Sequence, residues 1–216
     1  MNKSTKIFFE EKFENGLENW AVEKWEDGDA VLAEVVDNSL HVKTDSKLHG
    51  TMIWCKQEIP ENFIFEFDFI PNSDDGFFLI PFCCKGQDGS DILDEPLWSR
   101  REEETLFKKY VKGIIDGYHI SFRRGDAANC NFRKNSGMAL LKQEVLNEVL
   151  PMNQNYHVQL TKDGNHFILK VNDMTFMDVI DDESELGAVR TGGKLGLRQV
   201  YKSEGTYRNI LIKEIL

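Results

Sequence analysis

Hydrophobic and polar residues alternate with a period of two along most of the chain. In residues 63–69, four phenylalanines occupy one set of alternating positions, and the polar Glu66 and Asp68 occupy the other. Residues 118–123 and 129–134 repeat the pattern. Because successive side chains of a strand point to opposite faces, each segment predicts a β-strand with one apolar face.

Further alternating segments extend this prediction to an all-β fold. They lie at residues 40–43, 156–160, 193–198 and 207–212. Asn172 and Asp173 separate the apolar runs 167–171 and 174–180, which is the pattern of a β-hairpin. Residues 77–84 are apolar at nearly every position, which predicts a central strand that is covered on both faces, with an insertion over its outer side.

One segment, residues 86–117, has no sustained alternation. Pro96 is suited to begin a helix, and Leu106, Tyr110 and Ile114 recur at a spacing of four. The pattern predicts a long insertion with a short amphipathic helix. Ordered insertions of this length often form a lid or a groove wall, and the alternative is a solvated loop that covers a sheet edge.

Composition supports one domain built from two packed sheets. The chain has 216 residues, with 15 Phe and only 5 Pro, and no repeat or linker interrupts it. A phenylalanine-rich, proline-poor chain of this length suits a β-sandwich. We therefore expect residues 1–216 to form a single sandwich domain.

The net charge restricts the classes of partner. A formal charge of −11 disfavours general binding to nucleic acid or to anionic membrane, since both require a basic field. No apolar run is long enough to cross a bilayer. Glu10, Glu11 and Lys12 interrupt the apolar start, so no secretion signal is visible. We expect a cytoplasmic protein, unless a signal segment was removed from the chain.

The cysteine pattern favours buried, reduced thiols. The four cysteines are Cys55, Cys83, Cys84 and Cys130. No Cys-x-x-Cys pair is present, so a structural zinc site is not expected. Cys83 and Cys84 are adjacent on a predicted strand and should point to opposite faces.

Several short motifs together resemble a known family. They are "WC" at 54–55, "FDFIP" at 67–71, "DIL" at 91–93, "YHISFRRG" at 118–125, "CNFRKNSG" at 130–137 and "GKLGLRQ" at 193–199. With "NSLHVKT" and the C-terminal "YRNILIKEIL", they resemble the YesU-like family of bacterial proteins, a domain of unknown function, from about Trp20 onward. The resemblance implies a concanavalin A-like lectin/glucanase fold, a two-sheet antiparallel jelly-roll sandwich. It also implies a genetic setting of rhamnogalacturonan breakdown, and it transfers no catalytic residue.

In folds of this kind the outer face of the concave sheet holds the sugar, so the polar positions of the strands are the candidate site. If the phenylalanine faces form the core, the candidate side chains share one outer face. They are Glu66, Asp68, His119, Ser121, Arg123, Asn131 and Arg133, with Arg198 beside them. Trp54 is a candidate stacking platform for a pyranose ring. Polar residues are also expected on any solvated sheet face, and Glu66 and Asp68 then form only surface ion pairs.

The chemistry of this set indicates an anionic oligosaccharide. Arg123 and Arg133 can bind the carboxylate of a uronate in a bidentate manner. His119 beside Asp68 can act as a general base, and Arg123 can stabilise the anion that forms in β-elimination. Glu66, Ser121, Asn131 and Arg198 are then substrate-binding residues.

Two functions remain open from the sequence: an enzyme on pectin-type oligosaccharides, and a non-catalytic, lectin-like protein. Glu66 and Asp68 begin the Glu-x-Asp-x-Glu pattern of retaining glucanases, but Ile70 and Pro71 replace its second glutamate. An enzyme would therefore be an unusual hydrolase or a lyase. No cofactor is expected, although the oxygens of "DNSLHVKTD" and "DGSDILDE" allow a structural calcium ion without matching a known calcium loop.

Overall fold

Two antiparallel sheets form the fold of the computed structural model, which describes residues 3–24, 31–45, 50–74, 76–95, 97–100, 113–124, 128–145 and 150–216. One sheet has eight strands. They are β1 (Thr5–Glu11), β3 (Val31–Val36), β4 (Ser39–Thr44), β6 (Phe63–Pro71), β11 (Tyr156–Asp163), β12 (His166–Val171), β13 (Met174–Ile180) and β15 (Glu204–Ile215). The other has seven. They are β2 (Trp20–Lys24), β5 (Gly50–Cys55), β7 (Phe77–Gly86), β8 (Ile115–Arg123), β9 (Asn129–Asn135), β10 (Ala139–Val145) and β14 (Gly196–Val200).

The strand order places β6 and β7 in the middle of their sheets. The eight-stranded sheet runs β13-β12-β11-β6-β15-β4-β3, with β1 also paired to β15. The seven-stranded sheet runs β10-β9-β8-β7-β14-β5-β2. This arrangement confirms the predicted all-β sandwich, and it determines which polar side chains become neighbours.

The core lies between the sheets and is rich in aromatic rings, as the alternation predicts. All four phenylalanines of β6 are buried, and they face apolar residues of β7, β8 and β9 such as Phe82, Tyr118 and Phe132. The Phe82 ring stacks on Phe132 with 6.0 Å between centroids. Burial of each such ring contributes about 2 kcal/mol, so the inward face fixes which side of every strand is available to solvent.

A buried ion pair anchors the strands that carry the candidate residues. The Lys134 ammonium lies 2.8 Å from an Asp181 carboxylate oxygen, and both side chains are fully buried. The Tyr118 hydroxyl donates to the same oxygen at 2.5 Å and accepts from the backbone N–H of Arg190. Burial opposes ionisation of Asp181, but the bonds from Lys134 and Tyr118 outweigh it and lower its pKa. β8 and β9 are thereby fixed to the loop after β13.

Strand β7 is apolar on both faces, as predicted for a central strand. Phe78, Ile80 and Phe82 pack in the main core. A bulge after Phe82 coincides with a left-handed backbone at Cys83, whose φ is 52°. Cys83 then faces the main core, whereas Cys84 packs in a second apolar cluster on the outer side.

All four cysteines are free and buried, which confirms the prediction of buried thiols. Burial raises the pKa of Cys55 to about 11 and that of Cys83 to about 12. Because the thiolate is the reactive form, these groups act as apolar core residues.

The insertion covers one end of the outer side of the seven-stranded sheet. Ile92 and Ile115 pack with Met52, Trp54 and Cys84 in the second apolar cluster. A short helix, α1, spans Leu97–Arg100. The rest of the predicted helix, including Leu106 and Tyr110, lies outside the described residues. Within the described ranges, no helix is both long and apolar enough to span a bilayer.

The predicted hairpin at Asn172 and Asp173 is confirmed. Strands β12 and β13 pair on either side of these two residues. Both have left-handed φ angles, 48° and 66°, as a two-residue type I′ turn requires. Local turn chemistry therefore sufficed to predict this pairing.

Candidate functional site

The outer face of the seven-stranded sheet carries three adjacent rows of side chains. Directly paired residues on neighbouring strands point to the same side, so the register defines each row. The Arg123 row consists of Val200, Phe77, Arg123, Asn129 and Val145. The Ser121 row consists of Arg198, Leu79, Ser121, Asn131 and Gln143. The His119 row consists of Pro81, His119, Arg133 and Leu140.

Six of the candidate residues meet on this face. They are His119, Ser121, Arg123, Asn131, Arg133 and Arg198. Neighbouring strands lie about 4.8 Å apart, and successive rows lie about 7 Å apart along a strand. Side chains as long as arginine therefore reach between rows. Arg123, Arg133 and Arg198 are partly exposed, whereas His119, Ser121 and Asn131 are buried beside them.

His119 lies at one end of this group, in the row beside the Ser121 row, and is uncharged at neutral pH. Its side chain is buried, and Asn135 Nδ2 donates to its Nδ1 at 2.9 Å. Burial lowers its pKa to about 3, with further lowering by the positive charges of Arg198 and Arg133. A neutral imidazole with so low a pKa is a weak general base.

The predicted pairing of His119 with Asp68 is wrong. Asp68 lies on β6 of the eight-stranded sheet, where it pairs with β11 and β15. His119 lies on β8 of the other sheet, between β7 and β9. The two outer faces point away from each other across the core, so one ligand cannot contact both residues. Asp68 therefore does not serve as the carboxylate partner of His119.

Asp68 instead belongs to a hydrogen-bonded group on the opposite face. His157 Nδ1 lies 3.1 Å from one of its carboxylate oxygens, and Asn209 donates to the other at 2.8 Å. A bulge in β15 between Arg208 and Leu211 brings Asn209 into this position. Partial burial opposes ionisation of Asp68, but the bonds from Asn209 and His157 outweigh it and lower its pKa.

Glu66 also lies outside the predicted site, on the eight-stranded sheet. It lies on the same outer face as Asp68, where Lys213 approaches one of its oxygens to 2.6 Å and Gln159 donates to the other at 2.6 Å. The alternation correctly separated Glu66 from the phenylalanine core. It contained no information about which sheet β6 would join, and the predicted role of Glu66 as a substrate-binding residue beside Ser121 and Asn131 is corrected accordingly.

Trp54 is not available as a stacking platform. It points to the outer side of β5, but its exposed fraction is 0%. Ile92 and Ile115 pack in the same apolar cluster, and its indole N–H donates to Glu23 at 3.1 Å. Trp54 therefore points outward from the sheet but is buried in the second apolar cluster. The alternation alone did not reveal this burial.

A chain of amides supports the Ser121 row. Gln143 Nε2 donates to Asn131 Oδ1 at 2.7 Å, and Asn131 Nδ2 donates to Asn129 Oδ1 at 2.8 Å. Arg133 Nη1 donates to the carbonyl of Met138 at 2.9 Å. These contacts fix the buried Asn131 and the partly exposed Arg133 in place, and the guanidinium geometry of Arg133 is suited to a carboxylate.

From β10 to β14 the three rows contain no aspartate or glutamate, and beyond β14 the Ser121 row continues through Met52 to Glu23. The central strand contributes Phe77, Leu79 and Pro81 to them, so apolar side chains occupy the middle of the face. A retaining glycosidase needs two carboxyl groups about 5 Å apart. The rows supply one such group, Glu23, which accepts a hydrogen bond from the Trp54 indole, and not the pair, which agrees with the absent second glutamate in the sequence.

Comparison with known proteins establishes the family. A family model described as "Domain of unknown function (DUF1961)" matches residues 7–212. The chain belongs to this family. It is 27% identical over 186 residues to the uncharacterized protein YesU of Bacillus subtilis (strain 168), covering 82% of this chain and 83% of YesU. The predicted YesU-like resemblance is therefore confirmed.

Solved structures confirm the sandwich architecture of this DUF1961 chain. A Bacillus subtilis protein of unknown function with a galectin-like fold superposes with a TM-score of 0.84 at 24% identity, covering 98% of this chain and 96% of that one. The non-specific endo-β-1,3(4)-glucanase SCLam, from family GH16, gives 0.63 at 9% identity, covering 100% and 94%. The Bacillus subtilis carbohydrate-binding module CBM66 gives 0.59 at 14% identity, covering 91% and 96%. At these identities the likeness concerns the fold.

The structure adds residues that the sequence patterns did not single out. Phe77 belongs to the Arg123 row, and Tyr201 follows β14 in the turn beside it. Phe77 lay in a segment interpreted only as doubly covered, and Tyr201 lies in no periodic pattern. In the part of the chain that the structure describes, no group of three or more His, Cys, Asp or Glu is placed to hold a metal ion. A structural calcium ion stays a prediction.

Proposed function

We propose that the protein binds oligosaccharides on the outer face of its seven-stranded sheet. The observation that carries this proposal is the register, which gathers His119, Ser121, Arg123, Asn131, Arg133 and Arg198 into three adjacent rows. Guanidinium, amide and hydroxyl groups on a sheet face are suited to sugar hydroxyls. The fold is shared with a carbohydrate-binding module and a glucanase, which supports a carbohydrate ligand by analogy.

The preferred ligand carries carboxylates, as in uronate-containing, pectin-type oligosaccharides. Arg133 lies directly opposite His119, and Arg198 is close enough to lower the pKa of His119 by charge repulsion. The rows thus combine guanidinium groups with a neutral imidazole, and their carboxylate, that of Glu23, lies two strands beyond Arg198 in the Ser121 row. A local positive field of this kind can attract an anion to a protein whose formal charge is −11.

The site is better suited to binding than to catalysis. Elimination from a uronoside requires a base for the C5 proton, and hydrolysis requires a carboxyl pair. His119 is too weak a base near neutrality because its pKa is about 3, and the rows provide no carboxyl pair. Binding without turnover is therefore the function that the geometry supports best.

Calorimetry and NMR mapping with matched sugars test the proposal. We expect a galacturonic acid trimer to bind, and the neutral galactose trimer to bind more weakly. Amide shifts in β8 and β9 should change on binding, while those around Asp68 and His157 on the opposite face should not. A failure of both trimers to bind, or shifts confined to the eight-stranded sheet, contradicts the proposal.

A second experiment separates binding from catalysis. We expect unsaturated rhamnogalacturonan oligosaccharides to be recovered unchanged after incubation with the protein, as read by mass spectrometry. A product whose formation is lost in His119→Ala, at unchanged affinity, would instead identify an enzyme. That outcome replaces the binding function with the catalytic one.

A further inference from the structure

An exposed aromatic pair borders the candidate face at the Arg123 row. The rings of Phe77 and Tyr201 lie 5.2 Å apart between centroids at an interplanar angle of 46°. Tyr201 is 48% exposed. Phe77 is partly buried, and its strand position directs it to the outer side. These two rings thus provide exposed apolar surface beside the polar rows. The buried Trp54 does not.

The backbone holds Tyr201 in a costly conformation. Its φ is 61°, and that of the next residue, Lys202, is 42°. Left-handed backbone costs a residue with a side chain free energy, and such residues persist where the surrounding structure fixes them. Two consecutive left-handed residues therefore place the tyrosine ring at a defined position rather than on a relaxed loop.

Packing explains how this turn is fixed. A Cβ on Gly76 would lie 2.3 Å from the Cβ of Ser203, so the glycine permits close contact between the start of β7 and the turn. The Ser203 hydroxyl lies 3.3 Å from the side-chain amide of Gln199, and its backbone N–H donates to Thr44 at 3.2 Å. The turn that presents Tyr201 is thus anchored to both sheets.

A positive charge lies on the same ring pair. The guanidinium carbon of Arg123 is 5.5 Å from the centroid of Phe77, in the range of a cation–π contact. Asn129 is the next residue of the same row. Ring surface, guanidinium and amide therefore lie side by side at this end of the face.

We infer that Phe77 and Tyr201 form the stacking platform for one pyranose ring, and that Arg123 binds the carboxylate of that sugar. The inference rests on the proposed function and specifies its ligand position. The C–H groups of a pyranose face pack on aromatic rings, while its equatorial substituents extend sideways to polar groups. A uronate on this platform directs its carboxylate toward Arg123 in the same row.

Substitutions at Tyr201 test the platform through calorimetric titration of the full chain with galacturonic acid trimer. Tyr201→Ala should weaken binding roughly tenfold, which corresponds to loss of one ring contact. Tyr201→Phe should retain affinity, because it keeps the ring. Tyr201→Gly removes the ring and also relieves the left-handed backbone, so it should fold at least as stably as the wild type and bind as weakly as Tyr201→Ala.

A matched control is Phe8→Ala. Phe8 is 41% exposed and lies on β1 of the other sheet, so its removal should leave affinity unchanged. Proton NMR of the bound trimer supplies a second readout. One sugar ring should show upfield ring-current shifts that persist with Tyr201→Phe and disappear with Tyr201→Gly.

The outcomes separate the two proposals. If the wild type does not bind the trimer, both proposals are overturned. If the wild type binds, and folded Tyr201→Gly binds equally well with unchanged sugar shifts, the platform is overturned while the oligosaccharide site stands.

Discussion

The outer faces of the two sheets arise from the same alternating pattern but differ in their charge arrangement. On the eight-stranded sheet, Glu66 lies 2.6 Å from Lys213, and Asp68 contacts His157 and Asn209. On the seven-stranded sheet, Arg133 donates to a backbone carbonyl and stands opposite the neutral His119. On the eight-stranded sheet the two carboxylates contact basic and amide side chains, and on the seven-stranded sheet arginines lie among amides and a neutral imidazole.

This difference shows what the alternation can and cannot specify. A period of two determines which residues leave the core, since the phenylalanines of β6 must be buried. It does not determine what each outward residue meets, because the neighbours come from strands distant in the chain. The carboxylate contacts on one face and the grouping of arginines on the other are therefore consequences of strand pairing.

The largest effect that separates the two faces concerns acid stability. The pKa of His119 is about 3, below its ordinary value of 6.5, so the unfolded chain binds this proton more readily. Stability from the neutral His119 is fully present above about pH 6.5 and is lost as the pH falls toward 3. Between pH 7 and pH 4 the wild type should lose about 3 kcal/mol more unfolding free energy than His119→Gln, measured by urea denaturation.

His157→Gln is the control for this prediction. The side chain of His157 is 51% exposed and lies on the other sheet, so His157→Gln makes the same substitution away from the buried imidazole. An equal pH dependence for wild type and His119→Gln would show that His119 is not held neutral by its surroundings.

The next effect concerns ligand affinity. Arg133→Gln removes a charged partner of the carboxylate, and hydrogen bonds to charged groups contribute about 1.5–3 kcal/mol. Binding of galacturonic acid trimer should therefore weaken roughly 10- to 100-fold by calorimetry. Arg208→Gln, on the eight-stranded sheet, should leave affinity within about twofold, since its guanidinium lies on the opposite face. Equal losses in both variants would remove the distinction between the faces.

The smallest effect is expected at Asp68. Its pKa is lowered in the folded state, so its stabilising contribution is present above the ordinary value of 3.8 and is lost as the pH falls below it. Because the group is partly solvated, Asp68→Asn should cost under about 1 kcal/mol of unfolding free energy at pH 7 and leave trimer binding unchanged. A large loss of affinity would place the site on the wrong sheet.

Much of the fold followed from local pattern. The strands, the inward phenylalanines of β6 and the turn at Asn172 and Asp173 depend on alternation and turn chemistry, which act over a few residues. The candidate site followed only in part. His119, Ser121 and Arg123 are alternate residues of one strand, so their common face was predictable.

The remaining parts of the site depend on contacts between distant segments. The prediction that Asp68 lies beside His119 failed because β6 belongs to the other sheet. The prediction for Trp54 failed because its ring is buried with Ile92 and Ile115. Tyr201 joined the face because the chain turns beside Phe77, and no periodic pattern marks such a turn.

The sequence by itself thus determined the two-layer β-sandwich, the buried side of each strand and the polar residues available outside. Hydrophobic burial and the period of the strand decide these features without knowledge of neighbours. Only the tertiary structure decided that Arg133 and Arg198 flank His119, that Asp68 faces the other way, and that Tyr201 stands at the edge of the Arg123 row. The physical reason is that charge and stacking act through space, between residues that strand order and register bring together.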